Sequence, residues 1–314
     1  DTLSLHDALP IFFDYESFAE EHLAFCEALG LKGRIIVAPE GINGTVSGTP
    51  EQTDAYIHDM RTDSRFEDLW FKIDEAPENA FKKMHVRAKS EIVTWRFDTE
   101  VDPNETTGQH LSPEEFRRTM LEEDVLILDG RNGYEYDLGH FEGAIRPDVA
   151  SSRDFPQWIR ENLAPYKNKK ILTYCTGGIR CEKAAIYMRN AGLPHVYQLE
   201  GGILKYLETV PEEDSRWHGD CFVFDERVSV GHGLAPGHHQ LCRSCRMPLG
   251  EAELQSPHYV PGVSCPYCHG TRTPEQERAL AEREVRPVGG TKLERFDVLF
   301  PTPKVRVLEL VGPT

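Results

Sequence analysis

The stretch KKILTYCTGGIRCEKAAIYMRNAG, residues 169–192, decides the reading of the chain. Its first third is a short apolar run with the length of a buried strand, and its last half has the apolar spacing of a helix. Between them Tyr174-Cys175-Thr176-Gly177-Gly178-Ile179-Arg180-Cys181 must turn tightly, which the glycine pair allows. A strand that feeds a helix through such a loop ends at the edge of a sheet where ligands bind in open α/β folds. Backbone N–H groups in the loop and the positive end of the next helix would together lower the pKa of the Cys175 thiol, and a thiolate is what nucleophilic or persulfide chemistry needs. Arg180 would add a fixed guanidinium for an anionic group of a substrate, with Thr176, Gly177, Gly178 and Ile179 completing an anion-binding loop. The plainer alternative is a buried cysteine beside a glycine turn.

Around this loop, strand-like VLILDG (125–130), KKILTY (169–174) and HVYQLEG (195–201) alternate with helix-like SPEEFRRTMLEE (112–123), RDFPQWIRENL (153–163) and CEKAAIYMRNAG (181–192). That alternation predicts a doubly wound parallel sheet covered on both faces over residues 113–215. The polar, aperiodic stretch 97–112 reads as a linker.

Upstream, a helix over 17–29 is stopped by Gly30, and GRIIVA and TVSG form a hairpin whose turn is placed at Pro39–Gly44, with Asn43-Gly44 supplying positive φ. A helix at about 50–61 and strands LWFKI (69–73) and KKMHVRAKSEIV (82–93) follow. The order α-β-β-α-β-β over 14–96 is a ferredoxin-like, α+β unit lacking its opening strand. That strand is expected in residues 1–13, yet Pro10 interrupts the only apolar run there. DTLSLHDALPIFF reads as the translation of an adapter fragment, the alternative being an irregular native terminus.

From Trp217 onward turn residues and cysteines dominate, up to a charged helix at about 274–285. Cys242-x2-Cys245 and Cys265-x2-Cys268 have the spacing of two knuckles that close one tetrahedral zinc site within a module spanning 216–285. Four thiolates leave no open position, so the zinc is expected to be structural. Residues 286–314 contain the strand-like runs FDVLF and VRVLEL but no interpretable organisation.

The net charge of −17 over 314 residues excludes polyanion binding by the whole surface, and any nucleic-acid contact must be local. Lys83, His85, Arg87 and Lys89 alternate with Met84, Val86 and Ala88, which places the basic set on one strand face. This face either contacts RNA phosphates or is simply solvated. No apolar run has the length of a membrane helix, no secretory signal opens the chain, and the cysteines read as metal ligands rather than as a disulfide framework. A cytoplasmic protein without membrane or DNA partners is expected.

The segments Leu126–Glu135, Gly139–Ala144 and Leu199–Ile203, set around the Cys175 loop, resemble rhodanese signatures. GRIIVAPEGINGTVSG, FKKMHVRAKSEIV, CTGGIRCEKA, GGILKYLE and CFVFDERV together resemble the oxygen-dependent tRNA wobble-uridine 5-hydroxylases, across about 17–285. The resemblance implies hydroxylation at carbon 5 of uridine 34 with molecular oxygen as co-substrate, Cys175 as the required thiol, tRNA as partner and no further cofactor. Asp129, Arg131 and His140, as parts of the rhodanese signatures, would brace the loop. Cys181 would either resolve an intermediate on Cys175 or pack beneath the loop. The alternative activity is a sulfurtransferase that passes a persulfide from Cys175. The resemblance stops at residues 1–13 and beyond about Val288.

Overall fold

The computed structural model describes residues 14–66, 69–76, 79–95, 108–149, 151–285 and 305–311. The N-terminal unit contains α1 (Tyr15–Ala28), β1 (Lys32–Ala38), β2 (Gly41–Gly48), α2 (Pro50–Thr62), β3 (Trp70–Ala76) and β4 (Met84–Ala88). Helix α2 begins at a capping box, in which the Thr49 N–H donates to the Gln52 side chain at 2.9 Å and the Gln52 N–H to the Thr49 hydroxyl at 3.4 Å. The turn between β1 and β2 is Pro39-Glu40, followed by Gly41 at φ 135°, and so is tighter than the sequence predicts. Asn43 and Gly44 lie inside β2, opposite Ile36 and Ile35. Gly44 is needed there for proximity, because a Cβ would sit 2.5 Å from the Arg34 carbonyl oxygen.

The five strands of this sheet run in the order β3, Val305–Val311, β2, β1, β4. The terminal strand Val305–Val311 is antiparallel to both neighbours, with Leu308 opposite Val46 on one side and Ile73 on the other. It occupies the central position that the opening strand holds in a ferredoxin-like unit. The tail of the chain supplies this strand, and residues 1–13, where the opening strand is expected, lie outside the described set, as does FDVLF. Leu308 and Leu310 enter the core formed by Ile35, Val37, Val46, Tyr56 and Phe71 under α1 and α2. The two helices cover one face of the sheet and leave the other to the rest of the molecule.

The second unit contains β5 (Gln109–Leu111), α3 (Pro113–Thr119), β6 (Val125–Asp129), α4 (Gly133–Leu138), β7 (Gly139–Phe141), α5 (Phe155–Asn162), β8 (Lys170–Tyr174), α6 (Ile179–Asn190), β9 (Val196–Leu199) and α7 (Gly202–Thr209). Its sheet is wholly parallel in the order β5-β9-β8-β6. The stretch read as a linker therefore ends in an edge strand at Gln109–Leu111, too short and too polar to reveal itself by periodicity. Phe116, Ile203, Tyr206 and Trp217 fill one side of this sheet, and Phe155, Ile159, Ala184 and Met188 the other. β10 (Trp217–Gly219) pairs with β7, and short two-residue pairings, α8 (Glu251–Leu254) and α9 (Pro274–Val285) complete the described chain. Among the described residues no helix is long and apolar enough to cross a membrane.

Candidate active site and metal centre

Cys175 follows the last residue of β8, and Gly178 turns the chain at φ 103° into α6. The Gly178 N–H points at the Cys175 sulfur, 3.2 Å away. Burial, the largest influence, pushes this thiol up. The Cys181 thiol, the Arg180 charge and the backbone N–H groups of Cys181 and Arg180 outweigh it, and the value falls from 9.0 to about 6. Cys181 is driven the opposite way by its own burial and by the Cys175 thiolate it hydrogen-bonds. It lies beneath the loop, with its sulfur 3.8 Å from the Thr173 hydroxyl.

Arg180 does not stand open for an anionic ligand. Its two terminal nitrogens donate to both carboxylate oxygens of buried Glu135 at 2.8 Å, and one also donates to the Thr176 hydroxyl at 3.0 Å. The bidentate pair consumes the guanidinium geometry an anion would need, while leaving positive potential beside Cys175. Glu135, in turn, accepts from the Asn132 N–H at the start of α4. Sequence reading missed Glu135, because an acid three residues after Asn132 looks like a helix cap.

Asp129 and Arg131 form a fully buried pair, Nε to Oδ1 at 2.9 Å and Nη2 to Oδ2 at 2.6 Å, and Arg131 also donates to the Gly139 carbonyl. Arg131 lies against the faces of Tyr174 and Trp217. His140 stacks on Tyr136 with centroids 4.0 Å apart. These groups stiffen the strand ends around the loop. On the far side, the Ile203 and Leu204 N–H groups at the start of α7 donate to the Cys175 and Thr176 carbonyls at 3.0 and 3.1 Å. Gly202, at φ 64°, permits this approach, since a Cβ would lie 2.4 Å from the Thr176 carbonyl oxygen.

A pocket of about 280 Å³ opens beside the loop where three parts of the chain meet. Thr176 and Leu204 form one wall, Lys72, Asp74 and Glu309 another, and Phe224, Asp225 and Arg227 a third. Lys72 Nζ donates to the Gly201 carbonyl at 2.7 Å, tying β3 to the start of α7. Glu309 packs over Gly177, where a Cβ would be 2.5 Å from its Oε1. Its carboxyl is pushed up chiefly by burial, with Lys72 and Arg227 opposing.

Lys83, His85, Arg87 and Lys89 are exposed, and Met84 between them is buried. By register, Arg34 lies opposite His85 on one side and Thr45 on the other, and Glu309 lies opposite Thr45 and Lys72. Strand alternation puts this whole row on the helix-free face, which therefore runs from the basic edge strand to the Cys175 loop. Lys82 pairs with Glu226, whereas among the described residues no ion pair involves Arg34, Lys83, His85, Arg87 or Lys89. Sequence reading passed over Arg34 and Lys72, whose relation to the loop is set by cross-strand register alone.

The sulfurs of Cys242, Cys245, Cys265 and Cys268 lie within 4.8 Å of one another. The separations Cys242–Cys268, Cys245–Cys265 and Cys265–Cys268 are 4.0, 3.6 and 3.7 Å. Tetrahedral ligation at a metal–sulfur distance of about 2.3 Å requires sulfurs roughly 3.8 Å apart, so the quartet has the geometry to bind one metal ion.

A parallel-sheet domain presenting a low-pKa cysteine at the end of a strand, joined to a small α+β domain, defines a rhodanese-type thiol protein. The profile of the UPF0176 acylphosphatase like domain matches residues 10–92 and that of the Rhodanese-like domain residues 112–209. A tRNA uridine(34) hydroxylase of Bacillus licheniformis is 58% identical over 215 residues, 68% of this chain and 67% of the relative. Those of Teredinibacter turnerae and Acaryochloris marina are 45% and 44% identical over 271 residues, 86% of this chain and 84% and 87% of theirs. The chain belongs to the tRNA uridine(34) hydroxylase family.

Proposed function

We propose that this protein hydroxylates carbon 5 of uridine 34 in tRNA, with molecular oxygen as co-substrate and Cys175 as the reacting thiol. The observation that carries the reading is the Gly178 N–H aimed at the Cys175 sulfur from 3.2 Å, in a loop whose next residue, Thr176, lines a pocket between the two domains. Cys175 would be thiolate at neutral pH, held by the Gly178 N–H and the Arg180 charge. Arg180 would act through the sulfur and through Thr176, not as a substrate ligand. Asp129, Arg131 and His140 would keep the loop from relaxing. Lys83, His85, Arg87 and Lys89, extended by Arg34, would follow the phosphates of the anticodon arm, a local basic track on an acidic protein that works in the cytoplasm. The four cysteines would hold zinc as a closed structural site.

The second reading, transfer of sulfur from a Cys175 persulfide, is favoured by the same Gly178 N–H, which would equally stabilise a charged terminal sulfur. Nucleoside mass spectrometry of tRNA from a deletion strain, complemented with the wild-type or the Cys175→Ser chain, separates the two. Restoration of 5-hydroxyuridine by the wild-type chain alone is expected. A thiolated nucleoside restored instead would establish the second reading.

A further inference from the structure

Phe224 is a large apolar side chain left 53% exposed, and it stands at the pocket beside the Cys175 loop. Such a ring is ordinarily drawn into a core or hydrated at a cost, and here it is held in place. Phe222 meets it edge-on with centroids 5.0 Å apart, and Phe222 is itself buried against Tyr134 at 5.3 Å. The Arg180 guanidinium lies 5.7 Å from the Phe224 centroid, and Arg180 is pinned by Glu135. Phe224 is therefore a preorganised aromatic surface within reach of the reactive loop. A base that undergoes chemistry must leave its stack, and unstacked bases are received on aromatic side chains. Glu309 lines the same pocket, which at about 280 Å³ has room for about one base, and its Oε2 is buried with no hydrogen-bond partner among the described residues. A buried acceptor without a donor is costly, and the N3–H of uracil would satisfy it.

We propose that Phe224 is the stacking platform for the base being modified, and that Glu309 Oε2 accepts the N3–H of that base. Both are positioning and specificity roles, and they deepen the proposed function, resting on its assumption that a uridine of tRNA is the substrate. The sequence motif CFVFDERV gave Phe224 no role, because nothing in a linear pattern distinguishes a platform from a core phenylalanine.

The test uses the full chain and an anticodon stem-loop carrying 5-iodouridine at the wobble position. Ultraviolet crosslinking followed by peptide mapping should place the adduct on Phe224, and this readout does not depend on turnover. Phe224→Ala should lower kcat/KM for tRNA hydroxylation by roughly 5- to 150-fold, the range carried by loss of one base–aromatic stack. Phe224→Trp should restore most of it, and Cys175 alkylation should keep its midpoint near pH 6 in both variants, as a platform role requires. Glu309→Leu, which removes the acceptor, should lower kcat/KM with the Phe224 crosslink retained. Adducts elsewhere, or a wild-type kcat/KM in Phe224→Ala, would overturn the platform, and a wild-type kcat/KM in Glu309→Leu would overturn the edge contact. A Phe224 adduct in a chain that forms no 5-hydroxyuridine would support the platform while rejecting the hydroxylation reading.

Discussion

Lys183, two residues after Cys181 on the helix that follows the reactive loop, reaches across the domain boundary to Glu40, with Nζ 3.1 Å from both carboxylate oxygens. Nζ also donates to Glu91 at 2.9 Å, and Glu40 accepts the Ile92 N–H at 2.6 Å. One buried cation thus joins α6, the turn between β1 and β2 and the end of the basic edge strand. Removing it strands two carboxylates in a poorly hydrated place. Lys183→Ala should cost about 3–5 kcal/mol, the loss typical of breaking a buried pair from one side, in chemical denaturation. Glu40→Gln, which keeps a hydrogen-bonding oxygen, should cost less.

The Cys175 thiol offers a pH prediction whose sign is fixed by its lowered pKa. The thiolate is the reactive form and the folded value lies at about 6 rather than 9.0, so alkylation by a small reagent should rise with pH through about 6 and level off above 7. Cys26 and Cys221, both pushed up to about 12, should stay silent in this range. Subtracting the Cys175→Ser profile removes the contribution of the Cys242 quartet. A midpoint at 9 or above would mean that burial cancels or outweighs Arg180 and the loop N–H groups. Cys175→Ser itself should abolish modification while leaving the denaturation midpoint close to wild type.

Deleting residues 301–314 removes the central strand of the N-terminal sheet. Val305, Val307, Leu308 and Leu310 are buried, and fully buried side chains of this kind contribute roughly 1.5–3 kcal/mol each. Their sum is comparable to the ~5–15 kcal/mol net stability of an ordinary domain. The truncated chain should show loss of protection in β2 and β3 by hydrogen exchange, with β6 and β8 still protected.

One zinc ion per chain should copurify, and chelation under reducing conditions should unfold the region around Cys242–Cys268 before the Cys175 loop loses reactivity. Elemental analysis together with limited proteolysis checks both parts.

Neutralising Lys83, Arg87 and Lys89 together should weaken tRNA binding and lower the slope of log K against log salt by about 0.7–0.9 per lost phosphate contact, roughly two units in all. Binding titrations between low and moderate salt measure this, and an unchanged slope would identify the strand as a solvated face.

Much of this arrangement is legible along the chain because its causes are local. The Cys175 loop announces itself through a glycine pair between a strand and a helix, the cysteine quartet through its two-residue spacings, and the edge strand through alternation of basic and apolar side chains. Residues acting through space leave no such trace. Val305–Val311 reads as an unplaced apolar run, and only the gap between β2 and β3 explains it, since an unfilled central position would expose two rows of backbone donors and acceptors. Arg180 reads as an anion ligand until Glu135, 45 residues earlier, is seen to claim its fork. Phe224 and Glu309 become neighbours of one pocket only when the segment that follows Trp217 packs against the helix-free face of the first domain. Sequence alone determined which thiol sits in a strand-to-helix glycine loop and which four cysteines come together as a candidate metal site, because backbone geometry and short-range spacing suffice for both. The tertiary structure decided what surrounds that thiol, because burial and charge pairing are set by contacts between segments remote in sequence.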